Sequence, residues 1–169
     1  MSIKQAISLC DNSSSEELTE IYWHYQDSKD FEQELIKSLK YEKLQGAASW
    51  MLKHHLEQGF MLRPKLANKV FAQLQNQAHW EAQLHLLQCL PMVDIPVDSV
   101  PEVMEFLDNN LTNTNKLVRA WVYNGFHEIA KANIEYLPKA KSLLMQALES
   151  EVPSVQARIR NIVKSELYD

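Results

Sequence analysis

Apolar residues recur along this chain at the 3.6-residue period of a helix, in one stretch after another. The clearest is Lys116–Ala130, KLVRAWVYNGFHEIA, where Val118, Val122, Gly125, Phe126 and Ile129 share one face. Arg119, Tyr123 and His127 fall on the opposite side. The same face returns downstream as Val155, Ile159, Ile162 and Val163, and upstream as Trp80, Leu84 and Leu87. Met1–Cys10 is weakly amphipathic through Ile3, Ala6, Ile7 and Leu9, and Asp11–Ser15 is a polar break. Ser14 or Ser15 is placed to cap a helix running to about Gln26, with Glu16 and Glu17 at the positive end of its dipole. Ser28-Lys-Asp offers another cap before the stripe Phe31, Leu35, Ile36, Leu39. Glu42–Glu57 predicts a further helix, stopped by Gly59.

Beyond that point the pattern becomes periodic on a longer scale. Pro64, Pro101 and Pro138 stand 37 residues apart, and proline suits the first turn of a helix, where its missing N–H has no intrahelical partner. The stripes that follow stay in phase: Leu66, Val70, Leu74; Val103, Leu107, Leu111; Ala140, Leu144, Leu148. The second helices align as well, with Leu44, Trp80, Val118 and Val155 in one column and Met51, Leu87, Gly125 and Ile162 in another. Between them stands a column of small residues, Gly46, Ala82, Ala120 and Ala157, which would let neighbouring helices approach closely. A two-helix unit of about 37 residues is the signature of a stacked repeat.

Composition narrows this picture. The chain has 169 residues, enough for one domain with a sizeable core, and 46% of them are hydrophobic, too many for disorder. Its three glycines are too few for a turn-rich strand fold. No apolar run approaches the ~20 residues of a membrane span, and the start, MSIKQAISLCDNSSSEE, lacks the pattern of a secretory signal, so a cytoplasmic protein is expected. The net charge of −5, from 17 basic and 22 acidic residues, argues against a nucleic-acid partner. Cys10 and Cys89 have no C-x-x-C spacing and read as buried thiols.

The pairs Pro101–Leu111/Lys116–Ala130 and Pro138–Glu149/Pro153–Leu167 resemble HEAT-type repeats. LVRAWVYNGF and SVQARIRNIV are similar to that family's V-R-x-x-A-x-x-A-L pattern; Val118-Arg119 matches its opening, and Val155-Gln156 loses the arginine. The resemblance covers residues 28 to 167. It implies an all-α, right-handed α-α superhelix of about four helix pairs, at 28–59, 62–92, 99–130 and 136–167, in a single domain behind an N-terminal capping region at 1–27. It also implies a protein-interaction scaffold, since HEAT-like solenoids serve chiefly as such; a smaller group of similar proteins are alkylpurine DNA glycosylases.

In such stacks the second helices line a concave surface, and their solvent-facing positions form ladders. These read Gln45, Glu81, Arg119, Gln156; Ser49, His85, Tyr123, Arg160; Trp50, Leu86, Asn124, Asn161; and Lys53, Cys89, His127, Lys164. The expected binding residues are Arg119, Tyr123, His127, His85, Arg160, Asn124 and Glu81, with an Arg119–Glu81 ion pair as an alternative use of two of them. No metal, cofactor or catalytic set is expected. His54 and His55 are adjacent and point about 100° apart on a helix, and no H-E-x-x-H is present. Tyr22, Trp23 and Tyr25 read as core or capping contacts, and Trp50, Trp80 and Trp121 as wedges between units. The expected function is a non-enzymatic scaffold binding a protein or peptide on the concave face. The alternatives are a glycosylase-like DNA-binding protein, with Trp121 and Asp94 or Glu128 in the active roles, and a small-molecule or tetrapyrrole binder.

Overall fold

The computed structural model describes residues 1–10 and 14–169. Among them are ten α-helices and five short 3₁₀ turns, with no strand. Among the described residues no helix is long and apolar enough to cross a membrane. The chain divides into two compact units, Met1–Pro96 and Val97–Asp169.

The first unit holds α1 (Ile3–Leu9), α2 (Ser15–Tyr25), α3 (Phe31–Ser38), α4 (Glu42–Glu57), α5 (Pro64–Phe71) and α6 (Trp80–Cys89). The boundaries follow the local chemistry. Ser14 caps α2, its Oγ accepting from the Glu17 N–H at 3.1 Å. The Asp11–Ser13 part of the expected polar break lies outside the described residues. Asp30, not Ser28, occupies the cap of α3, and it makes no side-chain capping bond. Gly59, at φ 93°, takes the left-handed conformation just past α4 that glycine adopts without a Cβ penalty. Phe31, Leu35, Ile36 and Leu39 are all buried, as their spacing requires, whereas Leu9 is 76% exposed.

Helix α4 is the hub of this unit: α3, α6, α1 and α2 all pack on it, and α3 also meets α5. Tyr22 is fully buried, which fixes α2 in place. Its hydroxyl lies 3.2 Å from His55 Nδ1, and its ring meets His54 and Phe31 edge-on at centroid separations of 4.7 and 5.7 Å. Trp23 beside it is exposed.

The second unit holds α7 (Val100–Asn110), α8 (Lys116–Ala132), α9 (Leu137–Ser150) and α10 (Pro153–Ile162). Pro101, Pro138 and Pro153 sit in the first turns of their helices, as Pro64 does in α5. Asn115 caps α8 by accepting from the N–H groups of Leu117 and Val118. Helix α8 is the centre here, packed by α7, α9 and α10. Val118, Val122, Phe126 and Ile129 are buried together on its apolar face. In each unit, then, the second helices of consecutive pairs lie on one another, α4 on α6 and α8 on α10.

Two features of the expected spacing are corrected. An added Cβ at Gly46 would meet nothing within 4 Å, and Ala157 is exposed, so the small-residue column does not mark close helix contacts at those positions. Trp80 is 41% exposed and is therefore not a buried wedge. Near the C-terminus, Tyr168 joins the core of Tyr123, Leu144, Val155 and Ile159.

Candidate functional site

Within the first unit a cleft of about 420 Å³ opens between the start of α2, one face of α4 and the start of α6. Gly46, Ala47, Leu18 and Trp50 form its apolar lining, and Glu42, Lys43, His79 and Glu81 supply charged and polar lining. His85 completes it. Helical spacing explains the set, since Glu42, Gly46 and Trp50 stand at successive fourth positions along one face of α4.

The His85 ring is tied to α4 through Ser49. Ser49 is fully buried, and its hydroxyl donates to the Gly46 carbonyl oxygen at 3.1 Å. With its single proton used there, Ser49 Oγ accepts from His85 Nδ1 at 3.0 Å, which leaves Nε2 as the nitrogen with a free lone pair. Burial, reinforced by the nearby Lys53 charge and opposed by Glu57, depresses the His85 pKa to about 4, so the ring is neutral at physiological pH. The same geometry argues against Ser49 as a nucleophile: its proton is committed to a backbone carbonyl and no substrate can reach it.

Of the expected site residues, only His85 and Glu81 line this cleft. Arg119, expected to face solvent, is instead clamped within the second unit. Its Nε and Nη2 donate to the two carboxylate oxygens of Glu151 at 2.9 and 3.1 Å, and Nη1 donates to the Asn113 carbonyl at 2.8 Å. Its partner is thus Glu151 and not Glu81. Tyr123 is buried, and its hydroxyl donates to Glu151 Oε1 at 3.3 Å. Burial of the phenol, with the Glu151 charge beside it, pushes the Tyr123 pKa up to about 12. Burial alone would raise the Glu151 pKa as well, but bonds from Arg119, the Val152 N–H and Tyr123 outweigh it and hold the carboxylate below its ordinary value.

His127 Nδ1 lies 2.7 Å from the Tyr168 hydroxyl, and Lys141 donates to the Tyr168 carbonyl, so this ladder position anchors the C-terminal residues. Asn124 is half-buried and Arg160 is exposed on α10. Four of the other ladder members turn inward, whereas Asn161 and Lys164 are exposed. Gln45 is buried, with bonds to the Leu39 and Asn76 carbonyls and the Ala78 N–H, while Ser49, Leu86 and Cys89 are buried too. These helices are packed on so many sides that positions opposite the main apolar stripe still meet protein.

The remaining candidates are engaged elsewhere. The Arg158 guanidinium lies 4.1 Å from the centroid of the Trp121 ring, and Glu128 pairs with Lys131 at 3.0 Å. Both cysteines are buried, and burial pushes Cys89 up to about 12. Among the described residues no three His, Cys, Asp or Glu side chains come together as a metal site would need. His54 stacks on Trp50, and His55 turns to Tyr22 and Glu32.

Sequence reasoning missed Glu151 and Tyr168, and it gave Gly46 and Ser49 other roles, in a close-packing column and on a solvent-facing ladder. A glycine in the middle of a helix, away from any cap, was the one available signal for the cleft. Glu151, in the connection before α10, carried none. Comparison with known protein families, curated proteins and solved structures finds no match for this chain.

Proposed function

We propose that this chain is a HEAT-like helical-repeat scaffold of the cytoplasm that binds a protein or peptide segment, without catalysis of its own. The stacking of second helices within each unit supports the repeat reading. The cleft over α4 and the start of α6 carries the binding reading, because it is a concavity on second helices with an apolar floor and polar groups at fixed places. On this reading His85 and Glu81 belong to the binding surface, and Arg119 and Tyr123 support the fold of the second unit.

The test fills the cleft without disturbing the core. A Cβ at Gly46 meets nothing within 4 Å, so Gly46→Phe places its ring in the open space over α4. Wild-type and Gly46→Phe proteins of matching circular dichroism are used to capture partners from soluble lysate. A partner held by the wild type and lost by the filled variant is expected; equal retention by both overturns the assignment to this cleft. An Arg119→Glu substitution is a poor probe, because it sets two carboxylates against each other at Glu151.

A further inference from the structure

We propose that the cleft of the first unit receives an aromatic side chain bearing a hydrogen-bond donor, a Trp or Tyr of the bound segment, with a Lys or Arg beside it. This rests on the scaffold reading and names the chemistry that the segment must carry.

Three observations converge on it. The first is Gly46. Glycine in a helix interior is less stable than alanine by roughly 0.8–1 kcal/mol, and here no packing contact calls for it. A bare Cα on the floor of a cleft lets a flat group lie against the helix backbone, the use to which glycine is put where a ligand approaches closely. Beside it, Trp50 offers a ring as a wall.

The second is His85. With the Ser49 hydroxyl donating to the Gly46 carbonyl, His85 Nδ1 is the donor to Ser49 Oγ and Nε2 carries the lone pair, with no hydrogen bond to Nε2 among the described residues. A neutral imidazole nitrogen in that state accepts and does not donate. An aromatic ring entering over Gly46 therefore gains from an N–H or O–H and gains nothing from a carbonyl or carboxylate. Indole and phenol carry such a donor on a flat apolar body.

The third is the charged lining. Glu81, together with Glu42 at 3.6 Å from His79 Nε2, stands there against Lys43, in a chain whose net charge is −5. A basic residue flanking the ring meets complementary charge, which raises the association rate and selects against acidic segments.

The experiment titrates the full chain with acetyl-Lys-Trp-Lys-amide while amide chemical shifts are followed by NMR. Saturable shifts at Gly46, Ala47 and His85 are expected. A peptide whose indole N–H is replaced by sulfur keeps the shape and loses the donor, and it should bind at least about fivefold more weakly, the factor for one unmade buried hydrogen bond. Acetyl-Glu-Trp-Glu-amide should bind more weakly than the Lys peptide, by a margin that shrinks with added salt. In His85→Phe the indole and sulfur peptides should bind alike; should that variant not fold, the sulfur peptide decides the point on wild-type protein alone. Absence of shifts at the cleft up to the solubility limit of the Lys peptide overturns the proposal, as does equal affinity for the indole and sulfur peptides. If the peptides fail while Gly46→Phe still loses its lysate partner, the anchor chemistry falls and the scaffold reading stands. If Gly46→Phe retains that partner, the scaffold reading of the cleft falls.

Discussion

Replacing Glu151 by Ala tests whether the strongest polar cluster in the second unit is structural. The carboxylate takes two bonds from Arg119, one from Tyr123 and one from the Val152 N–H, joining α8 to the connection that leads into α10. The two charged side chains are only 17% and 10% exposed, between the surface and the buried extremes. Exposed pairs contribute about 0–1 kcal/mol, whereas removing one partner of a buried pair costs about 3–5 kcal/mol. Glu151→Ala should therefore destabilise the second unit by about 2–3 kcal/mol, since Arg119 keeps its bond to the Asn113 carbonyl but loses its countercharge. Urea unfolding followed by circular dichroism measures this, and a double-mutant cycle with Arg119→Ala isolates the coupling, expected above about 1 kcal/mol. The pH dependence has a definite sign. The folded carboxylate titrates below its ordinary value, so its stabilisation is present above about pH 4.3 and disappears as pH falls through the folded pKa. A loss under about 0.5 kcal/mol, or strict additivity with Arg119→Ala, would refute the clamp and return Arg119 to the list of ligand contacts.

Gly46→Ala should raise stability by about 0.5–1 kcal/mol, seen as a Tm higher by about 2–4 °C, because the new methyl meets nothing; a lower Tm would mean that Gly46 is needed for packing after all. Tyr22→Phe should lower stability by about 1 kcal/mol in the same melts, since it strips the hydroxyl from buried His55 Nδ1, and an unchanged Tm would show that bond to be dispensable. His85 resists protonation until about pH 4 in the folded state, while the unfolded chain takes up that proton near pH 6.5. Its contribution is complete above pH 6.5 and is lost as pH falls toward 4, by up to about 3 kcal/mol, and the lowered values of His55 and His127 act in the same direction. His85→Phe should flatten part of that slope in Tm against pH; an identical slope in both proteins would remove His85 as its source. Tyr168→Ala should destabilise the second unit by about 3 kcal/mol, the range for deleting a buried aromatic side chain, measured by urea unfolding.

The all-helical architecture and several helix starts were legible in the chain because they rest on short-range physics, whereas α5 stops at Phe71, short of Leu74, and α10 at Ile162, short of Leu167. A 3.6-residue stripe such as Phe31, Leu35, Leu39 has one periodic structure that buries it, and Ser14, Gly59 and the first-turn prolines act within a few residues of themselves. The candidate site was legible only in part. The ladder set Ser49 beside His85, and the two side chains do meet at 3.0 Å, but Ser49 is buried and does not face solvent. The step from Arg119 to Glu81 was not, because an arginine reaches whatever carboxylate the tertiary fold delivers, and that was Glu151, 32 residues along in a connection with no motif. Whether a polar position on a packed helix faces water depends on how many neighbours surround that helix, which no single-helix pattern encodes. Tyr123 is polar at its tip and buried along its ring, so period alone assigned it to the wrong environment. Gly46 shows the same limit in reverse: its spacing agreed with close packing, and only the folded chain leaves open space above it.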